Sequence, residues 1–126
     1  MGFWLFMLAM DLLIPLTMIV CGWVFVNKTP QDINWIYGYR TAMSMKNKET
    51  WNFAHKHCGR IWYRVGLFML PLSFLVMLIF IRSDVDMVGT AGSILCGAQT
   101  VFLLLSIVPT EIALKKTFNK DGSYRI

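Results

Sequence analysis

The sequence predicts an all-α, polytopic membrane protein with three transmembrane helices and short interfacial amphipathic helices. Of its 126 residues, 56% are hydrophobic and only 15% are charged, and the mean hydropathy is +0.55. A soluble domain of this size carries considerably more charge. Long apolar runs also flank one polar, basic and aromatic segment, which is typical of a water-exposed loop between membrane spans. We therefore expect a single membrane domain over residues 1–126.

The apolar runs predict spans at about residues 3–26, 61–81 and 87–108, with a loop at 27–60 and a tail at 109–126. A helix needs about 20 mostly apolar residues to cross the hydrocarbon core. The first run lacks the basic start and the small-residue cleavage site of a signal peptide. We expect it to remain as a transmembrane helix.

Two residues interrupt the first span, Asp11 and Pro15. Proline has no N–H, so the carbonyl of Asp11, four residues earlier, loses its helical partner. An acid and a free carbonyl then lie at one level, in the outer half of the span. An ionisable residue in a membrane helix is a functional candidate, and packing against another helix is the alternative. Gln99 is the strongly polar residue near the middle of the third span.

Capping signals predict two helices in the loop. Thr29 followed by Pro30 predicts the start of a short surface helix, which should end before a tight bend at Gly38. Asn47 predicts the cap of a second, amphipathic helix whose apolar stripe begins at Trp51. This helix should lie among the lipid headgroups and bend or run directly into the second span.

The third span carries small residues at every fourth position, namely Gly89, Ser93 and Gly97. Such a row lets another helix approach closely, either within the bundle or across a homo-oligomer. After it, Pro109 should end the span, and Thr110 should cap a short surface helix over residues 111–118.

The basic residues predict the orientation. Seven lie between Lys28 and Arg64 and four in the tail, whereas the turn between the second and third spans has Arg82 beside two acids. By the positive-inside rule the loop and the tail are cytoplasmic and the N-terminus is outside. Cations clustered beside apolar runs favour anionic membrane lipids as partners and argue against nucleic acid.

Cysteine and histidine residues do not predict a metal site, and we expect no cofactor. Cys21, Cys58 and Cys96 have no paired spacing. His55 and His57 point about 200° apart on a helix, which does not suit one tetrahedral site. We find no catalytic motif and expect a protein that is not an enzyme.

Arg40 follows the aromatic turn directly. Its guanidinium can bind a phosphate or a carboxylate through two hydrogen bonds. Glu111 is the predicted partner, because both residues should lie on the cytoplasmic side, and anchoring to a lipid phosphate is the alternative.

The chain resembles the SdpI immunity-protein family over nearly its whole length, and the most specific motifs lie in the loop and the tail. The segments that carry the resemblance are Ile33–Thr41 (INWIYGYRT), Ser44–Trp51 (SMKNKETW), Asn52–His55 (NFAH), Pro109–Glu111, Ala113–Lys116 and Phe118–Gly122. The resemblance implies a bacterial cell-membrane protein that protects against a secreted antimicrobial peptide toxin. The best-known member is larger and also signals by holding a transcriptional repressor at the membrane, whereas this chain has the core module alone.

Two functions follow as expectations. The first is toxin immunity, with a possible sensing role through a repressor, in which the outer half around Asp11 and the turn at Asp84 and Asp86 meet the toxin. The second is a small transporter or channel subunit that uses Asp11 and Gln99 as polar groups inside an oligomer. The candidate functional residues are Asp11, Tyr37, Gly38, Tyr39, Arg40, Thr41, Asn47, Trp51, His55, Gln99 and Glu111.

Overall fold

The computed structural model describes residues 2–31, 33 and 38–125. This part of the chain folds into helices α1 (Gly2–Asn27), α2 (Lys48–Ile79), α3 (Val85–Leu105) and α4 (Ile107–Thr117). Three stretches are long and apolar enough to cross a membrane: Gly2–Asn27, Lys48–Ile79 and Val85–Thr117. The predicted fold class, all-α with three membrane-spanning helices, is confirmed.

Helix α2 joins the predicted amphipathic helix and the second span into one helix of 32 residues. It begins where predicted, because the Asn47 side chain accepts a hydrogen bond from the Thr50 backbone N–H at 2.9 Å. In return, the Asn47 backbone N–H donates to the Thr50 hydroxyl at 3.0 Å. This reciprocal capping box satisfies groups that the first helical turn leaves without partners.

Glycines bring the backbones of α1 and α2 into contact. A Cβ atom added to Gly22 would lie 2.6 Å from the carbonyl oxygen of Gly59, and one added to Gly59 would lie 2.7 Å from the carbonyl oxygen of Gly22. Further along, a Cβ atom on Gly66 would lie 2.9 Å from the carbonyl oxygen of Pro15. These positions admit only hydrogen, so the small-residue helix contact of the bundle lies between α1 and α2.

The row Gly89, Ser93 and Gly97 does not form the close contact predicted within the bundle. Ser93 and Gly97 are exposed, and a Cβ atom on Gly97 would meet nothing within 4 Å. Helix α3 instead turns Gly92 and Gln99, both buried, toward the bundle. Contact across a homo-oligomer, the alternative for this row, stays a prediction.

Two of the predicted helix starts were wrong. Residues 28–31 lie outside helices, and the Thr29 hydroxyl donates back to the carbonyl of Phe25 at the end of α1. Ile33 also lies outside helices, and positions 32 and 34–37 of that predicted surface helix fall outside the described part. In the tail, α4 already begins at Ile107. Pro109 therefore lies in its first turn, where a missing N–H removes no helical hydrogen bond.

Candidate functional site

The structure brings most of the predicted functional residues into two groups. One, here the loop cluster, consists of Gly38, Tyr39, Trp51, His55 and Glu111 at the predicted cytoplasmic end. The other, here the buried polar group, joins Asp11 and Gln99 to a residue that the sequence analysis missed, Ser73. Tyr37, also predicted, lies outside the described residues.

His55 is the centre of the loop cluster and is fully buried. Its Nδ1 lies 2.8 Å from the backbone carbonyl oxygen of Trp51, and its Nε2 accepts the backbone N–H of Tyr39 at 2.9 Å. Because a carbonyl oxygen can only accept, Nδ1 must carry the hydrogen and Nε2 must be bare. The imidazole is therefore neutral and held in one tautomer by both of its nitrogens.

Gly38 makes the bend that was predicted for it, with φ at +109°. A Cβ atom here would lie 2.6 Å from His55 Nε2 and 3.3 Å from the Trp51 ring. Glycine is thus needed both for the left-handed backbone and for the close approach of the loop to α2. The Trp51 ring is also fixed, since its Nε1 donates to the backbone carbonyl of Pro30 at 2.8 Å.

Tyr39 links the loop to α4. Its hydroxyl donates to the Glu111 carboxylate at 2.7 Å, while its ring packs among Phe25, Cys58 and Leu114. Burial, and then the hydrogen bond to Glu111, raise the pKa of the Tyr39 phenol, so the phenol stays protonated and keeps donating.

The predicted ion pair between Arg40 and Glu111 stays a prediction. Arg40 is exposed, and the Glu111 carboxylate accepts a hydrogen bond from the neighbouring Tyr39. A buried phenol supplies such a hydrogen bond without bringing a second charge out of water.

Hydroxyl side chains close the rest of the loop. Ser44 Oγ donates to the carbonyl of Tyr39 at 3.1 Å and accepts the backbone N–H of Thr41 at 2.9 Å. The Thr50 hydroxyl donates to the carbonyl of Ser44 at 3.1 Å, and Asn47 Nδ2 donates to the carbonyl of Gly122 in the tail at 2.7 Å. Ser44 and Thr50 were not predicted, although small polar residues at every third position before a helix (Thr41, Ser44 and Asn47) favour such turns.

The buried polar group connects all three spans through one amide. Gln99 Nε2 donates to the backbone carbonyl of Asp11 at 2.7 Å and to Ser73 Oγ at 2.6 Å. The Asp11 carbonyl is the one that Pro15 leaves without a helical donor. The break in the first helix is thus satisfied from the third.

The side chain of Asp11 has no such partner. Both of its carboxylate oxygens are buried without a hydrogen bond among the described residues, as is Gln99 Oε1. The carboxylate faces α3, where a Cβ atom on Gly92 would lie 3.1 Å from Asp11 Oδ2. An ionised carboxylate in such surroundings is costly unless its charge is balanced.

An open cleft lies between the start of α1 and the start of α3, on the predicted outer side. Its volume is about 530 Å³. It is lined by Phe3, Val85, Asp86, Gly89, Thr90, Ser93 and Ile94. The first part of the predicted small-residue row therefore lines this shallow, open cleft.

Together these features define a polytopic α-helical membrane protein whose central loop is fastened to the second span. The chain belongs to the SdpI/YfhL protein family, whose model matches residues 31–110, and the predicted resemblance is confirmed. The chain is 32% identical to the uncharacterized protein YfhL of Bacillus subtilis (strain 168) over 59 aligned residues. These residues make up 47% of this chain and 54% of the relative. The chain thus aligns with about half the length of that relative. No solved structure matches it.

Proposed function

We propose that this chain is an immunity-type membrane protein that protects the cell carrying it from a secreted antimicrobial peptide. Family membership supports the class, and the cleft between α1 and α3 is the observation that supports the mode of action. The loop cluster lies at the predicted cytoplasmic end, so the cleft on the predicted outer side is the better surface for a secreted peptide. Under the predicted orientation it opens toward the side from which a secreted toxin arrives.

The chemistry of the cleft suits a cationic, amphipathic helix. In its lining, Gly89 and Ser93 allow a close backbone approach. Ile94, 69% exposed, and Phe3, 38% exposed, offer apolar contacts, while Asp86 supplies a negative charge at the rim. Membrane-active peptides combine a basic face with an apolar face. The basic face would meet the negative charge of the cleft, and the apolar face would meet its apolar side chains.

The proposal is tested by survival of a toxin-sensitive bacterial strain that expresses the chain. The strain is challenged with a panel of secreted antimicrobial peptides, and we expect protection against at least one. Ser93→Leu fills the cleft and should abolish that protection. Thr100→Leu is the matched control, because Thr100 is an exposed hydroxyl residue two turns along the same helix and outside the cleft.

Two results would contradict the proposal. Absence of protection by the wild-type chain against every peptide of the panel argues against toxin immunity. Full protection by Ser93→Leu at normal abundance in the membrane argues against the cleft as the site of recognition.

A further inference from the structure

We propose that Asp11 and Gln99 form a binding site for one small monovalent cation, a proton or a sodium ion, between α1 and α3. The inference rests on the polar atoms of the buried polar group. It is independent of toxin protection, so either proposal can fail without the other.

Unmatched hydrogen-bonding capacity is the first argument. Asp11 is fully buried and Gln99 is 2% exposed, yet Asp11 Oδ1, Asp11 Oδ2 and Gln99 Oε1 have no partner among the described residues. All three atoms are acceptors. Buried acceptors are nearly always paired with a donor or a cation, so the group lacks something positive.

The orientation of Gln99 is the second argument. Its nitrogen is held by two acceptors, the Asp11 carbonyl and Ser73 Oγ. Turning the amide over would place its oxygen against the Asp11 carbonyl, which cannot donate. The free acceptor of Gln99 is therefore a fixed feature of the packed bundle.

Charge is the third argument. The elements packed against this part of α1 present Ser73 from α2 and Gly92 and Gln99 from α3. None of these residues titrates or carries a charge, and no lysine, arginine or histidine in the described part is bonded to the carboxylate. A single carboxylate charge is balanced by one monovalent cation. A calcium ion would need six to eight oxygens.

The chemistry of the free oxygens is the fourth argument. The Met7 side chain fills the place beside Gly92 where a Cβ atom would lie, so the surroundings of Asp11 Oδ2 are closely packed. A proton can occupy the carboxylate directly, and a sodium ion can use carboxylate and amide oxygens, which are the ligands that hard cations prefer. The two ions compete for the same oxygens, so one site accounts for both.

The experiment measures unfolding of the full chain in nanodiscs of neutral lipid, followed by tryptophan fluorescence. One arm varies pH at fixed salt. The other replaces choline chloride with sodium chloride at fixed ionic strength and at a pH where carboxylates are ionised. A cation that binds the folded state raises the unfolding midpoint, and we expect a rise on the order of 5 °C.

Asp11→Asn removes the charge at nearly constant shape. In whichever arm the wild-type chain shows a rise in the unfolding midpoint, this variant should not show it. Glu49→Gln, which removes the charge of an exposed carboxylate outside both proposed sites, should leave the rise unchanged. Both variants keep His55 and His57. The difference between their pH dependences of the unfolding midpoint therefore excludes the contribution of these histidines. A sodium-dependent rise identifies sodium, and a rise in the pH arm alone identifies the proton.

Measurements on the wild-type chain decide the question if Asp11→Asn does not fold. Infrared spectra should show a protonated carboxyl group that is lost at high pH, or sodium NMR should show line broadening reversed by protons. The proposal is overturned if both wild-type measurements are negative. It is equally overturned if Asp11→Asn retains the wild-type dependence on both ions.

Discussion

The backbone N–H of Tyr39 donates to Nε2 of His55 at 2.9 Å, across sixteen residues of sequence. Because Nδ1 of the same ring is committed to the carbonyl of Trp51, the imidazole serves as a neutral bridge between the loop and α2. A protonated ring would place an N–H against another N–H.

His55→Ala should therefore destabilise the chain by about 2–4 kcal/mol, since it leaves the Tyr39 N–H without its acceptor and opens a cavity. Lys56→Ala, an exposed neighbour on α2, should change stability by less than about 0.5 kcal/mol. Denaturant unfolding in detergent measures both. Equal stability of the two variants would show that the bridge does not hold the loop.

The hydrogen bond between Tyr39 and Glu111 should appear as energetic coupling. In a double-mutant cycle of Tyr39→Phe and Glu111→Gln, we expect a coupling of about 1–2 kcal/mol, because the acceptor is charged and the bond is partly buried. Tyr124→Phe, at an exposed tyrosine, combined with Glu111→Gln should give additive effects. If the effects of Tyr39→Phe and Glu111→Gln were also additive, the hydrogen bond would not stabilise the contact between the loop and α4.

Enlarging a glycine should lower stability on the packed face of the bundle and have no effect on the exposed face. Gly59→Leu should unfold the chain or lower its unfolding midpoint sharply, because its Cβ would press against the backbone of α1. Gly97→Leu projects into open space and should leave the midpoint unchanged. Oligomer size in mild detergent is measured in parallel. A smaller oligomer for Gly97→Leu alone would support the predicted contact across copies.

Cysteine labelling of intact cells tests the predicted orientation. In a background without native cysteines, Lys48→Cys should react only after the membrane is made permeable. Asp84→Cys, in the turn between α2 and α3, should react with an impermeant reagent added outside. The reverse pattern would place the loop cluster on the outer side.

Much of the fold could be predicted because the bilayer constrains it. Apolar length alone fixes the number of spans, and local rules identified the Asn47 cap and the unpaired carbonyl of Asp11. These features depend on residues within one turn of each other, so no knowledge of the rest of the fold is needed.

The direction in which side chains point across the bundle could not be predicted. The periodicity of α3 equally allows the face of Gly89 and Gly97 or the face of Gly92 and Gln99 to pack inward, and contact with α1 decides between them. In the same way, the hydrogen bond between Tyr39 and Glu111 depends on the path of the loop backbone, which no local pattern reveals. Ser73 was missed because a single serine in an apolar span carries no periodic signal.

The continuity of α2 has a mechanical consequence. At about 1.5 Å per residue, its 32 residues extend about 48 Å, well beyond the about 30 Å of a hydrocarbon core. His55 near one end and Ser73 toward the other belong to the same rod. Pro71 lies between these two residues and removes one backbone hydrogen bond of the helix. A tilt of the loop end of α2 would therefore reach the contact between Ser73 and Gln99 only through a point where the helix can bend.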